Sequence, residues 1–356
     1  MTHLVIMAGG TGGHIVPALA VAKTLSDQGV SISWVGSADG LEAKMVAEAD
    51  IEFDAITIKG LRQSGVKRKV MMPFMLLYAM YQSYRIIRKR RPDGVLGMGG
   101  FVSGPGGIVA GLLGVPVILH EQNTIAGLTN RWLSKFSKKI LTGFPKASGI
   151  EGSEWVGNPV RKDIVMLPDP QVRLANRQEA LRILVVGGSQ GARVFNDELA
   201  RLLSNSDLDT YSVRHQCGRG QVEKVRASYA DTRGSVEVME FIDDMSGAYE
   251  WSDIVICRAG AMTVSEICAA GAVAIFIPYP YAVNDHQSIN ADYLVHGDAG
   301  YLVNQQEFVE GGWMTMLKNL DANRLELIET AKRARALARP NAADRVAKAC
   351  LEVLNA

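Results

Sequence analysis

The chain has 356 residues, of which 47% are hydrophobic and 21% are charged, and its 38 Lys and Arg almost equal its 37 Asp and Glu. This length exceeds one ordinary hydrophobic core, so two domains are expected. The balanced overall charge does not indicate a nucleic-acid-binding protein, so any electrostatic partner must be bound by a local patch. The longest apolar stretches, near 70–81 and 105–119, fall short of the ~20 residues that span a bilayer, and they contain Pro or Gly. We therefore expect no nucleic-acid partner and no membrane-spanning segment.

The cysteines and the N-terminus indicate the cellular compartment. The four cysteines show neither close pairing nor metal-type spacing, which favours reduced thiols in a cytosol. The first strand-like run starts by residue 4, with no basic and apolar leader before it. We expect an unexported protein.

Strand-like and helix-like segments alternate along the chain, which predicts an α/β fold with parallel sheets and helices on both faces. In the first half, strands are predicted near 3–8, 31–35, 53–58, 94–98, 116–119 and 139–142, and helices near 17–28, 40–48, 73–90, 103–112 and 125–135. The pattern restarts at 182–186, where a second Gly-rich loop, 187–193, leads into a helix. Two such units half a chain apart predict two Rossmann-like domains, with ligands in the crevice at the strand carboxyl ends.

The domain boundaries are predicted from composition. A stretch with several prolines and then polar residues, 155–180, is interpreted as the interdomain connection. A helix is predicted over 341–355, and its terminal position would let it fold back on the first domain. The predicted domains are 1–160 together with the C-terminal helix 341–356, and 161–340.

The first glycine-rich loop, 7–14, lies between an apolar strand-like run and a helix predicted to begin at Pro17. Its glycines allow a sharp turn and close approach to a ligand, and free N–H groups at a helix start favour an anion such as phosphate. His14 adds a proton acceptor at the far end of the loop. The loop predicts an anion site, and a tight turn with a surface histidine is the alternative.

Two segments of the first half follow predicted strands. Residues 97–107 contain six glycines, which suggests close approach of the backbone to a ligand or to the facing domain. His120–Asn123 places four polar side chains at the end of an apolar run, where this fold class has its ligand crevice. An N-cap for the next helix is the alternative for Asn123.

Two segments of the second half offer groups for a nucleotide sugar. In 258–266, small residues free the N–H groups of a helix start for a diphosphate. Glu266 can accept hydrogen bonds from sugar hydroxyls, or it complements the helix dipole instead. Residues 284–290 add amides suited to hydroxyl recognition.

Residues 59–91 contain ten Lys or Arg and no Asp or Glu, and 70–81 within them are almost wholly apolar. A core-facing helix side accounts for only some of the large apolar side chains, namely Phe74, Leu77, Tyr78 and Tyr81. Apolar excess flanked by cations is what a surface lying on anionic lipid requires. We expect peripheral membrane contact, with a solvated basic helix as the alternative and nucleic acid as a third. The membrane residues are predicted to be Lys67, Arg68, Lys69, Met71, Met72, Phe74, Met75, Arg85 and Arg88.

Asp207 and Asp209 have the spacing of a metal-diphosphate motif, but they follow a predicted helix rather than a strand. We expect them at the surface, without an obligate metal ion, and we expect no cofactor.

Seven motifs occur in order along nearly the whole chain: Gly9–His14, Gly97–Pro105, His120–Asn123, Gly157–Arg161, Gly187–Ala192, Phe241–Met245 and Thr263–Glu266. Together they resemble the bacterial MurG transferases. That family transfers N-acetylglucosamine from UDP-GlcNAc to undecaprenyl-diphosphate-MurNAc-pentapeptide, the lipid I to lipid II step of peptidoglycan synthesis.

The resemblance implies a GT-B fold, in which two Rossmann-like domains face each other across a cleft. It also implies inversion at the anomeric carbon and a peripheral location on the cytoplasmic face of the inner membrane. The first domain would take the lipid acceptor and the membrane, and the second would take UDP-GlcNAc. The partners that the resemblance implies include other cell-wall synthesis proteins.

The resemblance also implies the substrate-binding residues. They are Thr11, Gly12, Gly13, Asn123, Arg161, Ser189, Ile242, Ala261, Met262, Thr263, Val264, Ser265, Glu266 and Gln287. In this assignment Glu266 holds the ribose hydroxyls, Ile242 holds the uracil through its backbone, and Ser189 binds the diphosphate. Asn123 and Gln287 read the GlcNAc hydroxyls, although His286 and Gln287 stand where some relatives have two glutamines.

Direct displacement with inversion needs a base near the acceptor C4 hydroxyl and electrostatic support for the departing UDP. His14 is the predicted catalytic base, since the unperturbed pKa of histidine lies near neutrality. Arg161, Ser189 and the helix starts are expected to stabilise the leaving group without a metal.

Three alternatives to this function remain. Another GT-B UDP-sugar transferase with a lipid acceptor would share the motifs. An NAD-dependent oxidoreductase is disfavoured because the second strand ends in Trp34–Ser37 rather than in an acid. A membrane adaptor without enzymatic activity leaves the paired glycine loops unexplained.

Overall fold

The computed structural model describes residues 2–58, 66–177, 179–188, 190–206 and 211–356, and within these ranges the side chains of 66–70 and 283 are not described. Ser189 and the Asp207–Asp209 motif therefore lie outside the described residues, as do the side chains of Lys67, Arg68 and Lys69.

The chain divides into two compact units. The first comprises Met1–Arg161 and Pro340–Ala356, and the second comprises Lys162–Arg339.

The first unit alternates strands and helices. Its strands are β1 (His3–Met7), β2 (Ser31–Ser37), β3 (Glu52–Ile56), β4 (Gly94–Gly97), β5 (Val117–Glu121), β6 (Lys139–Thr142) and β7 (Glu154–Trp155). Its helices are α1 (Gly12–Asp27), α2 (Leu41–Glu48), α3 (Val66–Arg90), α4 (Ser103–Leu112) and α5 (Leu128–Leu133), together with the C-terminal helix Ala342–Leu354.

The strands of the first unit form one parallel sheet in the order β3-β2-β1-β4-β5-β6-β7. Residues 4–7 of β1 are fully buried at every position because helices cover both faces of the sheet. The C-terminal helix packs against α1, and it places Val346 and Cys350 in the same core as Leu4 and Ile6.

The second unit repeats the alternation. It begins with α6 (Lys162–Val165) and α7 (Pro170–Leu174), and its strands are β8 (Leu181–Val186), β9 (Tyr211–Gln216), β10 (Ser235–Met239), β11 (Ile254–Cys257), β12 (Val273–Phe276) and β13 (Tyr301–Leu302). Its later helices are α8 (Arg193–Ser204), α9 (Val222–Ser228), α10 (Met245–Trp251), α11 (Ala261–Ala270), α12 (His286–Val295), α13 (Gln305–Glu310), α14 (Met314–Ala322) and α15 (Arg324–Ala336), which makes the C-terminal helix α16.

The second sheet is also parallel, in the order β10-β9-β8-β11-β12-β13. When the strands are numbered from the start of each unit, both sheets show the order 3-2-1-4-5-6, which is the Rossmann order. The first sheet adds a seventh strand, β7, beside β6. The prediction of two Rossmann-like domains with parallel sheets is therefore confirmed.

Several predicted helix boundaries are wrong. Helix α1 begins at Gly12 rather than at Pro17, and α3 begins at Val66 rather than at Pro73. Helix α5 spans only Leu128–Leu133 of the predicted 125–135. The predicted interdomain connection contains β7, α6 and α7. Among the described residues, no helix is both long enough and apolar enough to cross a membrane.

Candidate functional site

The first unit has its topological switch point between β1 and β4, where the strand order reverses. The loop after β1 leads into α1, and the loop after β4 leads into α4. Ligands of open α/β sheets bind at such a point, outside the strand carboxyl ends. Thr11 is the N-cap of α1 without a side-chain capping bond, and Gly12, Gly13 and His14 form the first turn. Four predicted site residues therefore lie together at a helix N-terminus that suits an anion.

Two neighbours hold the ring of His14. Its Nδ1 lies 3.0 Å from Gln122 Oε1, which follows β5. The ring also packs against Gly99, whose φ of +98° belongs to the region that favours glycine. A Cβ atom at Gly99 would lie 2.7 Å from His14 Nδ1, so a side chain there would displace the ring. The glycine-rich segment after β4 thus makes room for His14.

Gln122 is itself held by a buried histidine. Its Nε2 lies 3.1 Å from Nδ1 of His120, and Nε2 of His120 lies 2.9 Å from the carbonyl oxygen of Gly157. Burial lowers the pKa of His120 to about 4, because the charged imidazolium would lose its hydration. His120 is therefore a neutral imidazole at physiological pH. Asn158 adds a bond from its Nδ2 to the backbone oxygen of Gln122, at 3.0 Å.

Glu121 organises the loop that carries Asn123. One carboxylate oxygen accepts bonds from the backbone N–H and the Nδ2 of Asn123, at 2.9 and 3.1 Å. The other accepts bonds from Gly127 N and Asn130 Nδ2, at 3.1 and 2.8 Å. Because Glu121 is almost fully buried, this carboxylate satisfies its hydrogen-bonding needs through the loop. Asn123 is thus oriented by its neighbour rather than acting as the N-cap of α5, which is Gly127.

Glu42 is a site residue that the sequence analysis missed. It lies in the first turn of α2, fully buried, and its carboxylate accepts bonds from Gly10 N at 3.1 Å and Ser37 N at 2.9 Å. It thereby fixes the loop between β1 and α1. Its only sequence signal is an acidic residue at a helix start, which ordinarily indicates interaction with the helix dipole.

The second unit has its switch point between β8 and β11. The loop after β8 is the predicted diphosphate loop 187–192, of which Ser189 lies outside the described residues. The loop after β11 leads into α11, whose N-cap is Gly260, a residue without a side chain that could cap the helix. Ala261 through Glu266 form the first turns of this helix.

Glu266 is oriented by α10. The hydroxyl of Tyr249 donates a hydrogen bond of 3.0 Å to Glu266 Oε2, and the Tyr249 ring is fully buried. Ile242, which is buried, lies in the segment that connects β10 to α10. Helix α10 therefore links the predicted ribose-binding carboxylate to the predicted uracil-binding segment.

Gln287 and Asn290 attach α12 to neighbouring loops. Gln287 Oε1 accepts a bond of 2.9 Å from Tyr279 N, and the buried Asn290 donates a bond of 3.2 Å to Ala259 O. Arg258 braces the same region by donating bonds of 2.9 and 3.0 Å to the carbonyls of Ile277 and Pro278. Burial lowers the pKa of Arg258 to about 10, so the guanidinium is still charged at neutral pH.

Arg161 is the last residue of the first unit. Its Nε is buried and makes no hydrogen bond to any residue that the structure describes. A charged donor in this condition suits an anionic ligand.

Helix α3 presents its large apolar side chains outward. The interpretation of Phe74, Leu77, Tyr78 and Tyr81 as core is wrong, since all four are exposed. The buried face of the helix is formed by the smaller residues Ala79, Ser83 and Ile87. Of the predicted membrane residues with described side chains, Met75 is partly buried and the others, Met71, Met72, Phe74, Arg85 and Arg88, are exposed.

One cation of the basic segment, Arg90, forms ion pairs within the protein. Arg90 pairs with Asp54, Nε to Oδ2 at 2.6 Å, and with Glu52 on the same strand. These carboxylates raise the pKa of Arg90 and neutralise its charge. Arg90 therefore anchors the end of α3 to β3 rather than contributing to a cationic surface.

Comparison with known proteins covers both units. The glycosyltransferase family 28 N-terminal domain matches residues 4–142, and the C-terminal domain of that family matches residues 182–346.

Similarity to individual relatives extends over the full length. The chain is 46% identical over 355 residues to the UDP-N-acetylglucosamine–N-acetylmuramyl-(pentapeptide) pyrophosphoryl-undecaprenol N-acetylglucosamine transferase of Marinobacter nauticus, covering 99% of this chain and 98% of the relative. It is 47% identical over 348 residues to the protein of the same name from Vibrio parahaemolyticus, covering 98% and 96%. The crystal structure of Acinetobacter baumannii MurG matches with a TM-score of 0.85 and 38% identity, covering 99% of this chain and all of that one.

Proposed function

The chain belongs to the MurG transferases of glycosyltransferase family 28, and on that premise we propose its reaction and the residues that perform it. The enzyme transfers N-acetylglucosamine from UDP-GlcNAc to undecaprenyl-diphosphate-MurNAc-pentapeptide in peptidoglycan synthesis. The observation that carries this proposal is the full-length identity to the Marinobacter transferase.

The second unit binds UDP-GlcNAc in this proposal. Glu266 accepts hydrogen bonds from the ribose hydroxyls, and the Tyr249 bond supports its orientation. The first turn of α11 and the loop 187–192, at the switch point, bind the diphosphate through backbone N–H groups. Gln287 and Asn123 recognise the GlcNAc hydroxyls, and Ile242 contacts the uracil through its backbone.

The first unit supplies the base. The C4 hydroxyl oxygen of the acceptor forms a bond to the anomeric carbon of GlcNAc while the bond from that carbon to the diphosphate breaks, with inversion. The hydroxyl proton passes to His14, and the electron pair of the broken bond leaves with UDP. Arg161 and the helix start of α11 stabilise the negative charge that grows on the departing diphosphate.

Titration calorimetry with UDP-GlcNAc, NADH and buffer tests the ligand class. We expect heat of binding with UDP-GlcNAc and none above buffer with NADH. UDP-glucose is the control for the acetamido group, and we expect it to bind more weakly. Binding of NADH in preference to UDP-GlcNAc would contradict the proposal.

We further propose that α3 rests on an anionic membrane surface. Its exposed apolar side chains, among them Phe74 at 70% exposure, are flanked by Arg85 and Arg88. Burial of apolar area and attraction of cations add together at such a surface. Helix α4 packs against α3 and exposes Leu112 as well. An acceptor with an undecaprenyl chain is presented at a membrane, so this surface brings the first unit to its substrate.

Vesicle flotation tests the membrane proposal. Replacing Met71 and Phe74 by serine is expected to weaken binding to anionic vesicles by roughly 100-fold, because each side chain loses ~1.5 kcal/mol of apolar burial and the two losses add. Replacing Lys67, Arg68 and Lys69 by glutamine is expected to lower the affinity for anionic vesicles roughly 100-fold at low salt, because each cation contributes about 1 kcal/mol. The matched control is Leu325→Ser in the second unit, where the leucine is 75% exposed. Unchanged binding of both variants would refute the proposal.

A further inference from the structure

We propose that His120 and Gln122 are positioning residues that fix the tautomer of His14, with the proton on Nδ1 and a lone pair on Nε2. The inference deepens the proposed function, because it rests on His14 acting as the base. Three hydrogen bonds connect Gly157, His120, Gln122 and His14 in series. In each bond, the assignment of donor and acceptor fixes the donor and acceptor of the next bond.

The series starts at a group that can only accept a hydrogen bond. The carbonyl oxygen of Gly157 lies 2.9 Å from His120 Nε2, so this nitrogen carries a hydrogen. His120 is fully buried, and burial keeps its ring neutral. A neutral ring with a hydrogen on Nε2 has only a lone pair on Nδ1. His120 Nδ1 therefore accepts a hydrogen bond.

The amide of Gln122 donates a hydrogen bond to His120 through its nitrogen and accepts one from His14 through its oxygen. Its Nε2 donates to His120 Nδ1 at 3.1 Å and also lies 3.4 Å from the backbone oxygen of His120, a second acceptor. With the nitrogen so placed, Oε1 faces His14 Nδ1 at 3.0 Å. An amide oxygen only accepts, so His14 Nδ1 is the donor and carries the hydrogen. The neutral ring of His14 then has its lone pair on Nε2, which can take the acceptor proton.

The reverse orientation of the amide is disfavoured. It would set Gln122 Oε1 against the lone pair of His120 Nδ1 and against the His120 carbonyl, so that acceptors face one another in a buried place. Gln122 is nearly fully buried, and Asn158 Nδ2 holds its backbone oxygen. The ring of His14 is packed against Gly99. Neither Gln122 nor His14 is therefore free to rotate away.

The tautomer matters because neutral histidine in water favours the hydrogen on Nε2. In that form the lone pair would face Gln122 and Nε2 could not accept a proton from the acceptor hydroxyl. The series of bonds holds the base in the less common form before the substrate binds, in the way that a buried partner orients a catalytic imidazole in hydrolases.

The first test measures the tautomer directly, by NMR of the full chain labelled with ¹⁵N in its histidines, without substrate. With both rings neutral, we expect a protonated Nδ1 and an unprotonated Nε2 for His14, and the opposite pattern for His120. In Gln122→Met, which keeps the size of the side chain, we expect the His14 signal to move toward the Nε2-protonated form. A His14 with its proton on Nε2 in the wild type would overturn the proposal.

The second test uses Gln122→Glu. A carboxylate still accepts from His14 Nδ1, so the His14 tautomer should persist, but it cannot donate to His120. His120 should then take up a second proton, and its pKa should rise from about 4 to above ~6.5. The neighbouring Glu121 carboxylate remains bound by its own donors. A pKa of His120 that stays near its wild-type value would contradict the proposed hydrogen-bond directions.

Turnover completes the test. Gln122→Met is expected to reduce kcat roughly 10- to 100-fold with little change in KM for UDP-GlcNAc. The control is Gln216→Met, which replaces an equally buried glutamine at the end of β9 and should retain activity.

If the wild-type tautomer is as proposed but His14→Ala keeps full turnover, the base assignment fails and the tautomer assignment stands. Wild-type kcat in Gln122→Met despite a changed tautomer would refute the positioning role.

Discussion

Replacing His14 by alanine is expected to reduce kcat for GlcNAc transfer by about 10²- to 10⁴-fold, the usual range for loss of a general base. The substitution removes the side chain that Gln122 and Gly99 hold at the start of α1. It leaves the backbone of α1 in place, and the residues proposed to bind the nucleotide belong to the second unit. Binding of UDP-GlcNAc in calorimetry should therefore change little.

The control for this variant is His296→Ala. His296 is exposed at the end of α12, and its Nδ1 lies 2.8 Å from Asp292 O in the preceding turn. We expect it to retain kcat and KM. Near-wild-type turnover of His14→Ala with intact donor binding would remove His14 from the role of base.

Replacing Glu266 by alanine is expected to raise KM for UDP-GlcNAc by roughly 10- to 100-fold, because hydrogen bonds to a charged group contribute ~1.5–3 kcal/mol. The chemical step does not involve the ribose, so kcat at saturating donor should fall much less. Tyr249→Phe removes only the bond that orients the carboxylate, and its effect on KM should have the same sign and be smaller. Steady-state kinetics with varied UDP-GlcNAc measures kcat and KM for the two variants.

Glu329→Ala is the matched control for the charge change. Glu329 lies on α15 and forms a surface pair with Lys332 at 2.9 Å. Surface pairs of this kind contribute little, so both kinetic constants should remain those of the wild type. A fall in kcat with unchanged KM in Glu266→Ala would contradict the assignment of Glu266 to the ribose.

The sheets were predictable from the sequence because their strands are buried on both faces. Runs such as 4–7 and 254–257 are apolar at successive positions, and glycine-rich turns separate them from helices. The helix starts were less predictable. The sequence predicts Pro17 and Pro73 as the first residues of helices, yet both lie inside helices that begin earlier. Both helices therefore tolerate a proline within them, and a proline alone does not mark a helix start.

The candidate site was predictable in its segments but not in its contacts. The Gly-rich loops and the His120–Asn123 motif could be identified locally. The bond between His14 and Gln122 joins residues 108 positions apart, and Glu42 reaches Gly10 across 32 positions. Such contacts depend on the order of strands in the sheet, which no local pattern encodes. The interpretation of one large apolar side of α3 as core is wrong for a related reason, since Ala79 and Ser83 form the buried face, where small residues let the helix approach its neighbours.

A transfer assay tests the central claim most directly. The purified chain is mixed with UDP-GlcNAc labelled in the sugar and with an analogue of undecaprenyl-diphosphate-MurNAc-pentapeptide, and the lipid product and released UDP are quantified. We predict labelled disaccharide-lipid with an inverted anomeric linkage and one UDP released for each label transferred. Release of UDP without labelled lipid, or no reaction with this acceptor, would contradict the account.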